Sequence, residues 1–142
     1  MEQFLTALRA MAEPTRLRLL RLLERGDLTV SEMTHILGQS QPRVSRHLKL
    51  MCDAGLLDRF PEGAWVFYRL AAGGVGAALA GRLLALLPAA DAVLALDQER
   101  LAAVRAVRAA QAPDYFTLNA GQWDRLRSLQ VDEAEVGAAL VR

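Results

Sequence analysis

Three cationic side chains lie close together before the middle of the chain, and no acidic residue separates them. Between Ser40 and Lys49 the sequence contains Arg43, Arg46 and Lys49, although the whole chain carries a net charge of only +1. The field at a phosphate is set by charges within about a Debye length, ~10 Å. Local clustering therefore matters more than net charge, and this segment is a candidate contact for nucleic acid.

A helix over residues 40–54 is predicted to position these cations. Pro42 suits a first helical turn, and Val44, Leu48 and Met51 recur at i, i+4 and i+7. If this apolar row packs inward, the polar and basic residues fall outward or to the sides. They are Gln41, Arg43, Ser45, Arg46 and Lys49.

The side chains of this helix suit the edges of base pairs. Gln41 can bind adenine and Arg43 guanine through two hydrogen bonds each, while Ser40, Ser45 and Lys49 suit phosphate or adaptable contacts. Two interpretations of His47 stay open, because it can contact DNA or pack against its own scaffold. Taken alone, a basic helix face is usually a solvated face, so the neighbouring elements decide the interpretation.

Three predicted helices precede the basic helix in the chain. Helices are predicted over residues 4–12 and 14–25, followed by a short helix that Thr29 or Ser31 caps and Gly38 ends. Only a few residues separate this short helix from the basic one. Two short helices joined by a tight glycine-containing turn are typical of a helix-turn-helix.

A β-hairpin is predicted directly after the basic helix. Residues 56–60 and 65–70 have strand composition, and residues 61–64 have turn chemistry. Such a hairpin is a wing, from which Arg59 and the tip residues Glu62 and Gly63 can reach the adjacent minor groove or backbone. The aromatic residues of the second strand are expected to pack against helices; they are Trp65, Phe67 and Tyr68. The predicted fold is mainly α, a winged helix-turn-helix.

The second half of the chain returns to helical sequence. Helices are predicted over residues 75–87 and 91–112, and Pro113 is expected to end the second one. Their wide Ala and Leu stripe exceeds what a small head can cover, which predicts a homodimer that buries these helices. The acidic residues of this region are predicted to be surface charges; they are Asp91, Asp97 and Glu99.

Three segments follow: a DNA-binding head over residues 1–74, long dimerisation helices over 75–113, and a helical extension or linker to a missing C-terminal domain over 114–142. In a dimer, two basic helices lie about one DNA turn, ~34 Å, apart. The expected partner is therefore double-stranded DNA with an imperfect palindromic operator.

Several other functions are disfavoured. The sequence shows no nucleophile-base arrangement, phosphate loop or metal-ligand cluster, so no catalytic activity, cofactor or metal is predicted. The single cysteine, Cys52, is interpreted as a small packed hydrophobe. With one cysteine and no basic region ahead of an apolar start, the predicted compartment is the cytoplasm. No segment reaches the ~20 apolar residues of a membrane span.

The sequence also resembles the ArsR family of transcriptional regulators. The similar segments are AEPTRLRLL at 12–20, SQPRVSRHLKLM at 40–51, AGLL at 54–57 and WVFYRL at 65–70. The resemblance implies a dimeric repressor, joined by its first and last helices, that leaves its operator when an inducer binds. Metal-sensing members place a Cys-x-Cys type motif in the third helix or Asp, His and Glu ligands in the last one, and residues 29–33 and 91–112 contain no Cys or His.

The tail has a second resemblance. Residues 110–136 are similar to the segment that joins such heads to S-adenosylmethionine-dependent methyltransferase domains, and this resemblance implies S-adenosylmethionine or S-adenosylhomocysteine as the inducer. The alternative function is thus the non-catalytic N-terminal head of a methyltransferase, with its ligand site beyond residue 142. The preferred interpretation makes the tail aromatics ordinary packing residues of a dimer interface; they are Tyr115, Phe116 and Trp123.

Overall fold

Six helices and three short strands make up the part of the chain that the structure describes. This computed structural model describes the backbone of residues 1–118 and the side chains of residues 1–111. In chain order the elements are α1 (Glu2–Met11), α2 (Pro14–Leu23), β1 (Leu28–Thr29), α3 (Val30–Leu37), α4 (Gln41–Asp53), β2 (Leu57–Glu62), β3 (Trp65–Leu70), α5 (Gly74–Leu84) and α6 (Ala92–Leu118). The mainly helical fold class and the wing are confirmed.

Side-chain caps fix where the central helices begin. Thr29 Oγ1 accepts the Glu32 N–H at 3.2 Å while the Glu32 carboxylate accepts the Thr29 N–H at 2.9 Å, a reciprocal capping box at the start of α3. Ser40 caps α4, and Gly38 ends α3 with φ +68°. These signals are local in sequence, and the predicted helix-turn-helix is observed within one or two residues of its expected bounds.

Every described helix and strand contributes apolar residues to the core. The inner row of α4 is completely buried, with Val44, Leu48 and Met51 each at 0% exposure. Met33 and Ile36 of α3 are also at 0%. Full burial of such side chains stabilises the fold by roughly 1.5–3 kcal/mol each. The predicted inward row of α4 is therefore correct.

The sheet is antiparallel with strand order β1-β3-β2. The hairpin register places Arg59 opposite Tyr68 and Glu62 opposite Trp65, which leaves only Gly63 and Ala64 as the turn. The turn is two residues shorter than the predicted turn over residues 61–64, and the strand β1 was not predicted. The strand β1 contains only two residues, and its pairing of Leu28 with Tyr68 joins residues far apart in the chain.

One aromatic expectation for the wing is wrong. Trp65 does not pack against the helices, because it lies at the end of the hairpin and is 54% exposed. Tyr68 is buried, with only 9% of its surface exposed. Phe67 stacks on Phe60 of the neighbouring strand, with ring centroids 5.7 Å apart. The guanidinium of Arg69 lies 4.4 Å from the centre of the Phe60 ring. The outer face of the wing therefore carries a small aromatic and cationic cluster.

The last helix departs from the prediction at its end. Pro113 does not terminate α6, which continues to Leu118. A proline removes one backbone hydrogen bond and crowds the preceding turn, but helical backbone can resume beyond it. Residues Met1–Leu101 form one compact unit and Ala102–Arg142 a second. The side chains of Tyr115, Phe116 and Trp123 lie outside the described residues, so both interpretations of the tail stay predictions.

Two of the predicted surface charges, one just before α6 and one within it, have structural roles. Asp97 is not a surface charge, because its side chain is 1% exposed and accepts two hydrogen bonds from Arg18 of α2, each 2.8 Å long. A buried carboxylate requires such a partner. Asp91 Oδ1 accepts the Leu94 N–H at 3.0 Å at the start of α6, and Glu99 is exposed as predicted.

A third polar contact also joins α6 to the helix-turn-helix. Arg100 Nη1 donates to the carbonyl oxygen of Ile36, near the end of α3, at 3.0 Å. Together with the pair of Arg18 and Asp97, it ties the first part of α6 to both α2 and α3. No described helix is long and apolar enough to cross a membrane.

Candidate nucleic-acid interface

The basic face of α4 points away from the core. Since Val44, Leu48 and Met51 face inward, the opposite side of the helix presents Arg46 and Lys49 to solvent. Lys49 Nζ lies 3.1 Å from Asp53 Oδ2 one turn later, in an exposed pair worth little to stability. The scaffold thus supplies a rigid helix whose outer side is cationic.

Most residues predicted for the site are accessible. The exposed ones are Ser40, Gln41, Arg43, Arg46, Lys49, Arg59 and Gly63, and the half-buried ones are Ser45 and His47. Seven of these nine residues share the helix α4 or its N-cap, while Arg59 and Gly63 lie on the wing. Exposure permits contact with DNA but does not assign it, so each individual role stays a prediction.

The Arg43 side chain is held by a short chain of hydrogen bonds. Arg43 Nε donates to Gln39 Oε1 at 2.9 Å, and Gln39 Nε2 donates to Thr15 Oγ1 at 3.1 Å. Thr15 is buried in the first turn of α2. Gln39 was not predicted as a site residue, because its role depends on the turn that brings α2 beside α4. A guanidinium oriented in advance loses less side-chain entropy on binding.

His47 contacts its own scaffold. Its Nδ1 lies 3.2 Å from Arg16 Nη1. The Nε of Arg16 also donates to the Ala10 carbonyl oxygen at 2.6 Å. Because arginine can only donate, this bond needs an unprotonated Nδ1. Burial lowers the pKa of His47, the neighbouring arginines lower it further, and Glu13 opposes the shift. Of the two open interpretations of His47, the structure supports packing against the scaffold.

Acidification is expected to weaken the fold partly through His47. Its folded pKa lies below the ordinary value of 6.5, so the unfolded chain binds more protons between the two values, and stability falls as pH drops through that window. His47→Gln should therefore lose less stability than the wild type between about pH 7.5 and about pH 5. Urea unfolding at both pH values measures this. An equal or larger loss in the variant would contradict it.

The single thiol of the chain is partly buried beside two carboxylates. Burial raises the pKa of Cys52, with Asp53 and Asp58 adding to the effect, so the thiol is poorly ionised at neutral pH. Among the side chains that the structure describes, no group of three or more His, Cys, Asp or Glu residues could hold a metal ion.

Comparison with known proteins places the same region in one family. Residues 13–59 match the family described as bacterial regulatory protein, arsR family. The chain is 48% identical over 61 residues to the arsenical resistance operon repressor of Escherichia coli strain K12, covering 42% of this chain and 52% of that protein. The chain spans about half the length of the curated relatives it matches first.

Solved structures agree with the fold. HlyU from Vibrio cholerae N16961 aligns with a TM-score of 0.54 and 32% identity, covering 60% of this chain and 91% of that one. The homodimeric winged helix-turn-helix DNA-binding domain of Mb0332 from Mycobacterium bovis aligns with a TM-score of 0.54 and 27% identity, covering 60% and 78%. With the capped helix-turn-helix and its wing in place, these matches show that the chain carries a helix-turn-helix domain of the ArsR family of bacterial regulatory proteins.

Proposed function

We propose that this chain is a sequence-specific DNA-binding transcriptional regulator that places α4 in the major groove of double-stranded DNA. The observation that carries the proposal is the two-sided character of α4. Its inner row is at 0% exposure, while Gln41, Arg43, Arg46 and Lys49 are exposed on its remaining surface. A helix of this kind fits the major groove, where arginine and glutamine can discriminate bases.

Within this complex, Gln41 and Arg43 near the N-terminus of α4 contact base edges, and Ser40, Ser45, Arg46 and Lys49 contact phosphates or adapt to the sequence. The wing contributes Arg59 and Gly63 to the adjacent minor groove or backbone. Their exposure and their position on one hairpin support this assignment. His47 acts mainly from behind, by holding Arg16 against α4.

The regulator acts as a homodimer. Phe4 and Leu8 of α1 are 43% and 36% exposed, and Val75 of α5 is 42% exposed, on two helices that pack against each other. A second copy would cover this apolar surface. The homodimeric state of the Mb0332 domain supports the same arrangement. The dimer would divide into the head, 1–74, and dimerisation helices, 75–113, and would bind an imperfect palindrome.

Repression followed by release on binding an inducer is the mode of action we assign. The name of the Escherichia coli relative as a resistance operon repressor supports it, and the same relationship favours a non-catalytic regulator over the head of a methyltransferase. Attachment to a methyltransferase domain, and S-adenosylmethionine or S-adenosylhomocysteine as inducer, remain predictions about a region that lies outside the described residues.

A gel shift tests this function. The chain is mixed at low salt with duplex DNA from the region upstream of its own gene and with scrambled duplex of the same length. Retention of the upstream DNA at protein concentrations that leave the scrambled duplex free supports the proposal. If neither duplex is retained even at low salt, the proposed function is wrong.

Arg43→Ala is expected to weaken operator binding by ~1–3 kcal/mol, because a bidentate contact to a guanine is lost. The binding of scrambled duplex should change much less, so the ratio of specific to non-specific affinity should fall. Arg82→Ala is the matched control, since Arg82 is an exposed arginine on α5. Operator affinity that is the same in Arg43→Ala and Arg82→Ala would remove the base-reading role of Arg43.

A further inference from the structure

A groove with a largely apolar lining and four basic side chains lies beside the recognition helix, on the side where α4 faces α1. It measures about 530 Å³, and helices α1, α2 and α4 form its walls. Side chains that line it include Thr6, Arg9, Arg16, Arg46, Lys49 and Asp53. Four cations and one carboxylate therefore share the groove, although the helices that supply them are separate in sequence.

The cations of this groove differ in the hydrogen bonds and ion pairs that they already form within the protein. Within residues 1–111, the guanidinium groups of Arg9 and Arg46 form no hydrogen bond or ion pair, and Lys49 pairs with the one acid, Asp53. Arg16 is fixed by the Ala10 carbonyl oxygen and by His47. The groove thus keeps an excess of positive charge with donors available for an anion.

We infer that this groove holds a phosphate of the DNA backbone, with Arg9 of α1 and Arg16 of α2 as contacts outside the recognition helix and wing. This inference rests on the proposed function. The groove is continuous with the DNA-facing side of α4, because Arg46 and Lys49 belong to both. When α4 enters the major groove, a phosphate strand flanks it, and arginine is well suited to bind phosphate through two hydrogen bonds.

The contact would position the protein without reading sequence. Phosphates are the same at every base pair, so Arg9 and Arg16 add affinity and fix the register of α4 on the duplex. Arg16 is held in advance by two bonds, which lowers the entropy lost on binding. Arg9 is exposed on α1 and can be changed without disturbing the core.

Arg9→Gln is expected to weaken operator and scrambled duplex equally, and to reduce the salt dependence of binding by the equivalent of about one phosphate contact. Between 50 and 200 mM salt, the wild-type affinity should fall roughly 3.5-fold more than that of the variant, from a slope change of about 0.9 per contact. Binding titrations of the whole chain across this salt range measure both effects. Arg9→Lys should recover most of the slope, because the charge is retained.

Arg82→Gln on α5 serves as the control for removal of an exposed cation outside the groove, and its salt slope should match the wild type. If the wild type binds DNA but Arg9→Gln keeps the full slope, the inference is wrong while the proposed function stands. A titration with inorganic phosphate distinguishes a free phosphate ligand from a phosphate of the DNA backbone. Saturable binding of phosphate without DNA, lost in Arg9→Gln, together with an unchanged DNA slope, would assign the groove to a small anion and overturn the inference.

Discussion

Asp97→Ala is expected to lower the free energy of unfolding by about 3 kcal/mol, although the change removes an acidic residue from a helix that looks solvated in sequence. The Asp97 side chain is 1% exposed and accepts two hydrogen bonds from Arg18, which also raise the pKa of Arg18. Removing one member of such a pair leaves a charge without its partner, at a cost of about 3–5 kcal/mol. We expect the lower end, because Arg18 keeps 19% exposure.

Glu99→Ala, two residues further along α6, is the matched control. Glu99 is exposed, and its replacement should change stability by no more than about 0.5 kcal/mol. Denaturant unfolding at one fixed protein concentration measures both variants, since association shifts the apparent stability. A double-mutant cycle then isolates the pair: Asp97→Ala should cost much less in an Arg18→Ala background. Equal costs in both backgrounds would show that the pair contributes nothing.

The error about Asp97 shows where sequence interpretation stops. An acidic residue among arginines on an amphipathic helix is typical of a solvated face, and nothing near Asp97 in the sequence indicates burial. Its partner Arg18 lies 79 residues away on α2. The contact of Arg100 could not be predicted for the same reason, because its hydrogen bond to the Ile36 carbonyl oxygen joins residues 64 positions apart. Tertiary contacts of this length leave no periodic signal.

The helix-turn-helix could be predicted because its determinants are local. The cap at Ser40, the proline after it and the inner row of Val44 and Leu48 are all contained within a dozen residues, and the period of 3.6 assigns the outer side of α4 directly. The wing was predictable from composition for the same reason. Its aromatic residues were not, since Trp65 is exposed by its position at the end of the hairpin and not by its type.

The candidate site was predicted only in part. The residues that belong to α4 and the wing follow from one helix and one hairpin. Gln39, Arg9 and Arg16 join the site only when α1, α2 and α4 are packed together, and a sequence pattern gives no distance between helices. Resemblance to a family aligned the recognition helix, but it did not indicate that α1 contributes a cation beside it.

The backbone of α5 approaches the turn that follows α4 so closely that a side chain added there should destabilise the fold. Gly76 of α5 is buried against the turn that follows α4, and a Cβ added to it would lie 2.4 Å from the Gly55 carbonyl oxygen and 2.8 Å from the Gly55 carbonyl carbon. Gly55 itself has φ +80°, a conformation that few other residues adopt at low cost. The obstacle is therefore backbone on a constrained turn, which cannot rotate aside as a side chain could.

Gly76→Ala is expected to destabilise the fold by about 2 kcal/mol, because overpacking near the upper end of about 1–3 kcal/mol exceeds the gain of about 1 kcal/mol in helix propensity. Gly81→Ala on the same helix is the matched control. Apart from the backbone of its own helix and its chain neighbours, no atom lies within 4 Å of its added Cβ, so only the propensity gain remains, and stability should rise by about 0.5–1 kcal/mol. Opposite shifts in urea midpoint are the expected result, and equal shifts would contradict the close approach. Since Gly55 follows α4, DNA affinity of the folded Gly76→Ala protein should also fall, whereas that of Gly81→Ala should not.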